Sequence, residues 1–244
     1  MIQLEGCETR YGSITIFRRQ LTGAVVYDQG GSCQSEADRN GVSLAPYVHA
    51  IYGLIRQGTA HHVLMVGCGG GTLGTMLVRA GCKVAIVDIN PEAFVFARRY
   101  FSLPEEIACH VADGRDFLLS ETGCYDVIVL DAFHGDCIPS HLQSLDFFEA
   151  VRARLGPHGS LFVNVHVADD RDATPGRIAE CMANVWADVR ILDAPGWYNR
   201  NAVIAAGDVR CLAPPQLQVE PVGHTGEISQ ELDTMRFRPW NNGG

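Results

Sequence analysis

The sequence predicts an α/β fold, a doubly wound parallel sheet preceded by a small antiparallel β-region, and three observations carry that prediction. From residue 62 onward, apolar runs alternate with helix-period segments, the pattern of strands joined by helical crossovers. The first of these runs, HVLMV, breaks into the glycine-rich turn GCGGG and restarts as the helical pattern LGTMLVRA. Before residue 46 the pattern is instead the short alternation of SITIFRRQ and TGAVVYD, which reads as antiparallel strands.

Each element follows in order. Residues 28–41, DQGGSCQSEADRNG, are rich in Gly, Ser, Asp and Asn and read as a loop. Pro46 opens a helix, PYVHAIYGLIRQG, with Val48, Ile51, Tyr52 and Ile55 on one face and a stop near Gly58. After the glycine turn and its helix comes the strand KVAIVD. Asn90 is then an N-cap, Pro91 the first helical residue and Glu92 a first-turn acid, leading a helix with Ala93, Phe96, Ala97, Tyr100 and Phe101 on one face. The strand IACHVAD precedes a helical GRDFLLSE, and the strand YDVIVLDAF precedes the helix LDFFEAVRARL. A Gly156-Pro157-His158-Gly159 turn leads to a fifth strand, SLFVNV. Beyond Val165 the pattern predicts a helix over Arg177 to Trp186 and the strands VRIL and NAVIAAG, completing the sheet with an antiparallel edge. The segment from Ala213 carries no motif, and reads as a docked helix or a partly disordered tail.

Composition narrows the function. At 244 residues the chain can bury a sizeable core, and its 47% hydrophobic content is that of an ordinary globular protein. With 19 Lys and Arg against 28 Asp and Glu, a net charge of −9 and no basic run, nucleic acid is not an expected partner. No apolar run is long enough to span a bilayer and no signal peptide is visible, so no membrane is expected and the expected location is cytoplasmic. Nine cysteines without a C-x-x-C pair suit reduced thiols better than disulfides or zinc. His134, His141 and His166 are spread across separate segments with no ligand-type acid pair, so no metal is expected.

The chemistry concentrates at the strand ends. Gly67, Gly69 and Gly71 let the backbone pass close to a ligand, and the helix that follows offers unpaired N–H groups. Asp88, about 20 residues beyond the first glycine, is placed to accept hydrogen bonds from both hydroxyls of a ribose. Thr72 stands where a nicotinamide dinucleotide site would prefer a third glycine. Asp88, Asp113 and Asp131 close three successive parallel strands and so converge on one edge beside the glycine turn. Asp113 suits an adenine amino group, and equally suits the N-cap of the helix it precedes. Cys68 and Cys137 flank this edge and read as bystander thiols; Trp197 and Tyr198 read as packing residues.

The stretch from Val63 to Val165, with VGCGGG, VDIN, ADGRDFL, VIVLDAF and SLFVNV, resembles the spermidine synthase family of polyamine aminopropyltransferases, which have the class I methyltransferase fold. YDQGGSCQS is similar to the family's L-D-G-x-x-Q loop, and Tyr47 matches the tyrosine of its Y-H-E helix. The resemblance implies a β-region and loop over residues 1–45, a Rossmann-like nucleoside-binding transferase domain over 46–212 and a C-terminal tail over 213–244. It implies transfer of an aminopropyl group from decarboxylated S-adenosylmethionine to a small-molecule amine, in polyamine biosynthesis. Asp131 matches the family's catalytic base. Gly67, Gly69, Gly71, Asp88, Ile89, Asp113 and Gly114 would hold the nucleoside, Gln34 the donor's tail, and Tyr47, His134 and Asp136 the acceptor. Family members are commonly dimers, which by analogy implies a homodimer through the N-terminal strands.

The chain departs from the family at three charged positions. Gly70 replaces the aspartate of G-G-G-D-G-G, His134 replaces the second aspartate of D-S-S-D-P with Asp136 displaced by two residues, and His49 replaces the acid of Y-H-E. Each lost carboxylate removes a charged contact typically worth about 1.5–3 kcal/mol to a cationic amine. The alternatives are therefore an S-adenosylmethionine-dependent methyltransferase, a non-catalytic protein that binds methylthioadenosine or a polyamine, and a nicotinamide-dependent dehydrogenase.

Overall fold

The computed structural model describes residues 1–239; residues 240–244 of the expected tail lie outside the described residues. The N-terminal region is a four-stranded antiparallel meander of β1 (Ile2–Thr9), β2 (Gly12–Arg18), β3 (Val25–Gln29) and β4 (Ser32–Ala37). β4 corrects the expected loop over 28–41. Its sequence, SCQSEA, lacks apolar alternation, and pairing creates the strand: Val25 faces Ala37 and Tyr27 faces Ser35. Gly30 and Gly31 make the two-residue turn between β3 and β4, both at positive φ (63° and 87°), as a hairpin whose twist matches its strands requires. One face of the meander, with Ile14, Ile16, Val25 and Tyr27, packs on Phe96 and Phe101.

The larger sheet is built from β5 (His62–Val66), β6 (Lys83–Asp88), β7 (Ala108–Val111), β8 (Tyr125–Leu130), β9 (Leu155–Val167), β10 (Val189–Asp193), β11 (Arg200–Gly207) and β12 (Arg236–Pro239). Its order is β12-β10-β11-β9-β8-β5-β6-β7. β5 to β9 are parallel, and β10, β11 and β12 add the expected antiparallel edge. β9 begins at Leu155, not after the glycine-proline turn, because Leu155 already pairs with Tyr125. Along β5 the side chains alternate between two cores. Val63 and Met65 pack with Ile51, Leu77 and Phe94 on one face; Leu64 and Val66 pack with Phe147, Phe148 and Val151 on the other. Complete burial of such aliphatic side chains stabilises by roughly 1.5–3 kcal/mol each, which is why these strands read as continuous apolar runs.

The helices are α1 (Pro46–Ile55), α2 (Thr72–Arg79), α3 (Pro91–Tyr100), α4 (Gly114–Ser120), α5 (Leu145–Arg154), α6 (Thr174–Ala183) and α7 (Thr225–Thr234). α6 starts and ends three residues earlier than expected. Pro175 sets its first turn, and Trp186, past its end, folds back edge-on to Phe148. The segment after Ala213 is docked: α7 buries Ile228 and Leu232 in the core shared with α1, and β12 pairs with β10. Among the described residues no helix is long and apolar enough to cross a membrane.

Asn90 caps α3 as expected, its side chain accepting from the Glu92 N–H (3.2 Å) while its amide donates to the Thr9 hydroxyl (3.2 Å). Asn90→Ala removes a cap and a link between β1 and α3. A stability loss of about 1–2 kcal/mol is expected, read as a lower urea midpoint at constant slope.

Candidate active site

Sequence order in the sheet reverses at β5, with β6 and β7 on one side and β8 and β9 on the other. At such a switch point the loops leave in opposite directions and open a crevice beyond the strand ends. A cavity of about 520 Å³ lies there, lined by the glycine turn, Asp88, Asp113, Asp131 and residues of β4, β9 and β11.

The glycines are there for close approach. Gly67 sits at φ 104°, and a Cβ would overlap the Asp131 carbonyl. Gly69, at φ 49°, lies under β4, where a Cβ would come within 2.7 Å of the Ser35 hydroxyl; that hydroxyl accepts from the Gly70 N–H at 2.9 Å. Gly71 is the left-handed N-cap of α2, and Gly114, the first residue of α4, packs on Val66. Gly70 faces the ring of Phe101, itself fully buried, and a Cβ would lie 2.7 Å from that ring. The position where the resembling family carries an aspartate is therefore filled from behind by an aromatic side chain.

Asp88 accepts from the Cys68 N–H (2.8 Å) on one oxygen and from the Asn90 N–H (2.8 Å) on the other. Burial pushes its pKa up, with both backbone donors opposing the rise. Each oxygen keeps acceptor capacity toward the cavity. Ile89 beside it is 40% exposed and supplies an apolar wall. Asp113 caps α4, accepting from the Arg115 (2.9 Å) and Asp116 (3.2 Å) N–H groups, while its second oxygen meets His141 Nε2 at 2.8 Å. The capping reading of Asp113 is thus realised, at the edge of the same cavity.

Asp131 lies just beyond β8, next to Asn164 of β9. Tyr47 Oη donates to Asp131 Oδ2 (3.1 Å) and Asn164 Nδ2 donates to Oδ1 (2.7 Å). Asn201 of β11 in turn donates to Asn164 Oδ1 (2.9 Å). Burial raises the Asp131 pKa against the lowering effect of its two donors, and burial, then the neighbouring Asp131 carboxylate, raises that of Tyr47. His49 turns away from the cavity into the core, 1% exposed, with Nε2 on the Ser43 carbonyl (2.8 Å).

The segment after Asp131 closes over the crevice. His134 bridges back to Cys137, Ser32 of β4 donates to Asp136 Oδ1 (2.9 Å), and Gln34 Nε2 donates to the Gly135 carbonyl (3.3 Å). Gln34 and Asp136 thus join β4 to this segment, and His134 and His166 line the cavity. Among the described residues no group of three or more His, Cys, Asp and Glu is arranged to hold a metal ion. All the expected site residues reach the one cavity except Gly71, which supports it from the start of α2. Asn164, Asn201 and Ser35 were missing from that set. Asn164 did carry a signal, a lone amide inside the apolar run SLFVNV.

Comparison with known proteins agrees with this architecture. A family model described as a methyltransferase domain matches residues 63–159. A probable polyamine aminopropyl transferase of Bifidobacterium longum is 32% identical over 146 residues, 58% of this chain and 33% of that protein. A polyamine aminopropyltransferase of Chromobacterium violaceum is 32% identical over 167 residues, 66% of this chain and 62% of that protein. The crystal structure of a probable spermidine synthase from Corynebacterium glutamicum superposes with a TM-score of 0.76 at 19% identity, covering 97% of this chain and 90% of that one. The chain is thus similar to polyamine aminopropyltransferases over part of its sequence and to a probable spermidine synthase in fold. The chain spans one third (33%) and about three fifths (62%) of the two curated relatives' lengths. The expected fold class, a Rossmann-like methyltransferase fold behind an antiparallel β-region, is the one observed.

Proposed function

We propose that the chain is a transferase that moves an aminopropyl group from decarboxylated S-adenosylmethionine to a small-molecule amine, a step of polyamine biosynthesis. The observation that carries this reading is the half-buried Asp131 carboxylate, held on both oxygens by Tyr47 and Asn164 in the cavity that also contains the glycine turn and Asp88. The donor's nucleoside fits that cavity: Asp88 has acceptor capacity for ribose hydroxyls, Ile89 gives an apolar face, and no side chain projects from Gly67 or Gly69. An aliphatic ammonium has a pKa of about 10 and must lose a proton before it can attack. Asp131 takes that proton. The amine nitrogen then bonds to the carbon beside the sulfonium, the C–S bond breaks, and its electron pair stays on sulfur, leaving methylthioadenosine.

A second reading, methyl transfer from intact S-adenosylmethionine, is favoured by one specific observation. Phe101 occupies the space behind Gly70, so the cavity has no carboxylate at this position for the donor's tail amine. The methyltransferase-domain match over residues 63–159 is compatible with either reaction. The nine free cysteines suit a reducing, cytoplasmic location, and homodimerisation through the N-terminal sheet belongs to the same proposal.

Calorimetric titration with the two donors side by side, and methylthioadenosine as shared-nucleoside control, separates the readings. Tighter binding of the decarboxylated donor is expected, followed by turnover with a diamine. Tighter binding of the intact donor replaces aminopropyl by methyl transfer, and binding of none of the three overturns both.

A further inference from the structure

Three neighbouring strands place Asp131, Asn164 and Asn201 in a row. Asn164 pairs with Val203 and Asn201 with His166 across β9 and β11, so Asn164 and Asn201 are diagonal neighbours on one face of the sheet. The row has a direction that chemistry imposes. A carboxylate only accepts, so Asn164 must present its NH2 end to Asp131. Its carbonyl oxygen then points to Asn201, which must donate, and does so at 2.9 Å.

We propose that Asn201 is a positioning residue, which orients the Asn164 amide so that its NH2 end faces Asp131 and holds that side chain as a carboxylate. Without a donor on its oxygen, the Asn164 amide is oriented by the Asp131 carboxylate alone, and its flipped form, with the oxygen toward Asp131, becomes open to it once that carboxyl takes a proton and can donate. Asn201 is itself set by the start of β11. Its neighbour Arg200 is 5% exposed, and pairs with buried Asp193 (2.7 Å) and with Asp170 (3.0 Å), fixing the strand from its first residue. Asn201 is thus held on a rigid element and points a neutral donor along the sheet, which a water molecule in its place would do with less directional constraint.

The inference rests on the reading of Asp131 as the base, but its test does not. Asp131 shares its cavity with Tyr47 from α1, Cys33 from β4, Cys68 from the glycine turn, Asp88 from β6, His134 from the following segment and His166 from β9. None of these is altered by a neutral substitution at Asn201. The ligand-free protein, labelled with ¹³C at its aspartate carboxyls, is titrated by NMR as wild type, Asn201→Leu, Asn164→Leu and the double variant, with Asp131→Asn assigning the signal. Asn164→Leu is expected to raise the Asp131 midpoint by about one pH unit, the size of one charge-assisted hydrogen bond. Asn201→Leu is expected to raise it by about half as much, and to add nothing once Asn164 is gone. Asn201→Ala repeats the test should the leucine variant fold poorly. An unshifted midpoint in the Asn201 variants, or the same shift with Asn164 absent, overturns the proposal. The acid limb of the transfer rate should move by the same interval. A wild type with no transferase activity but the expected titration shifts would sink the catalytic reading and keep the positioning one.

Discussion

Asp131→Asn is expected to abolish group transfer while leaving methylthioadenosine binding largely intact. The substitution keeps the side chain's size and removes its ability to take a proton; the amide oxygen still accepts from Asn164, and its NH2 end meets the Tyr47 hydroxyl, which can rotate to accept. A positioned general base typically contributes 10²–10⁴-fold, so turnover should fall by about that factor. The affinity for the nucleoside control should change little, because Asp88 and the glycine turn are untouched. Full activity in this variant would remove Asp131 from the mechanism, and loss of nucleoside binding would make it a scaffold residue.

Two pH effects follow from the direction of the shift. Burial raises the Asp131 pKa, so the base form is lost as pH falls through a value above the usual carboxylate range, and the wild-type rate should decline there. The stability effect has the opposite sign. A carboxyl with a raised native pKa stabilises the fold fully below the unfolded value and loses that contribution as pH rises through the folded one. Raising the pH through the folded value should therefore cost the wild type stability that Asp131→Asn does not lose, so the difference in Tm should move in the variant's favour as pH rises. Thermal melts of both proteins across pH 3 to 8 would show it; a difference that stays constant or moves the other way contradicts the assignment.

Gly67→Ala is expected to be the most damaging conservative substitution in the glycine turn. At φ 104° the backbone lies outside the regions open to L-residues, and the added methyl meets the Asp131 carbonyl. That carbonyl belongs to backbone already tied down, since the Asp131 N–H donates to the Val66 carbonyl (2.8 Å) and the Gly67 N–H to the Val87 carbonyl (2.9 Å). Backbone strain and overpacking together give a loss of about 3 kcal/mol or more, and any relaxation displaces the proposed base. Gly81→Ala separates the two causes: Gly81 is at φ 88° with open space around it, so only the backbone term acts and about 1–2 kcal/mol is expected. Equal losses in chemical denaturation of the two variants would show that the close approach at Gly67 is not what demands glycine.

The glycine turn, the strand and helix order around it and the convergence of Asp88, Asp113 and Asp131 were legible in the chain. Each depends on local signals: apolar runs long enough to be buried strands, glycines where they break, and acids at their ends. Parallel topology then aligns those ends whatever the loops do. β4 was not legible, because SCQSEA has no alternation of its own and becomes a strand only by pairing with β3 across the Gly30–Gly31 turn. That pairing brings Ser35 and Gln34 to the site. The cap that Asp113 makes on α4 was one of two readings open in the chain, but its contact with His141 and the Phe101 ring behind Gly70 were hidden.

The sequence by itself determined the fold class, the edge of the sheet where the site lies and the carboxylates that face it, since periodicity and strand-end chemistry are properties of neighbouring residues. Only the tertiary structure decided what surrounds each carboxylate. Tyr47, Asp131, Asn164 and Asn201 come from four elements, and the hydrogen bonds among them exist because sheet order places β8, β9 and β11 side by side beneath α1. Such contacts depend on residues far apart in the chain, and no spacing along it encodes them.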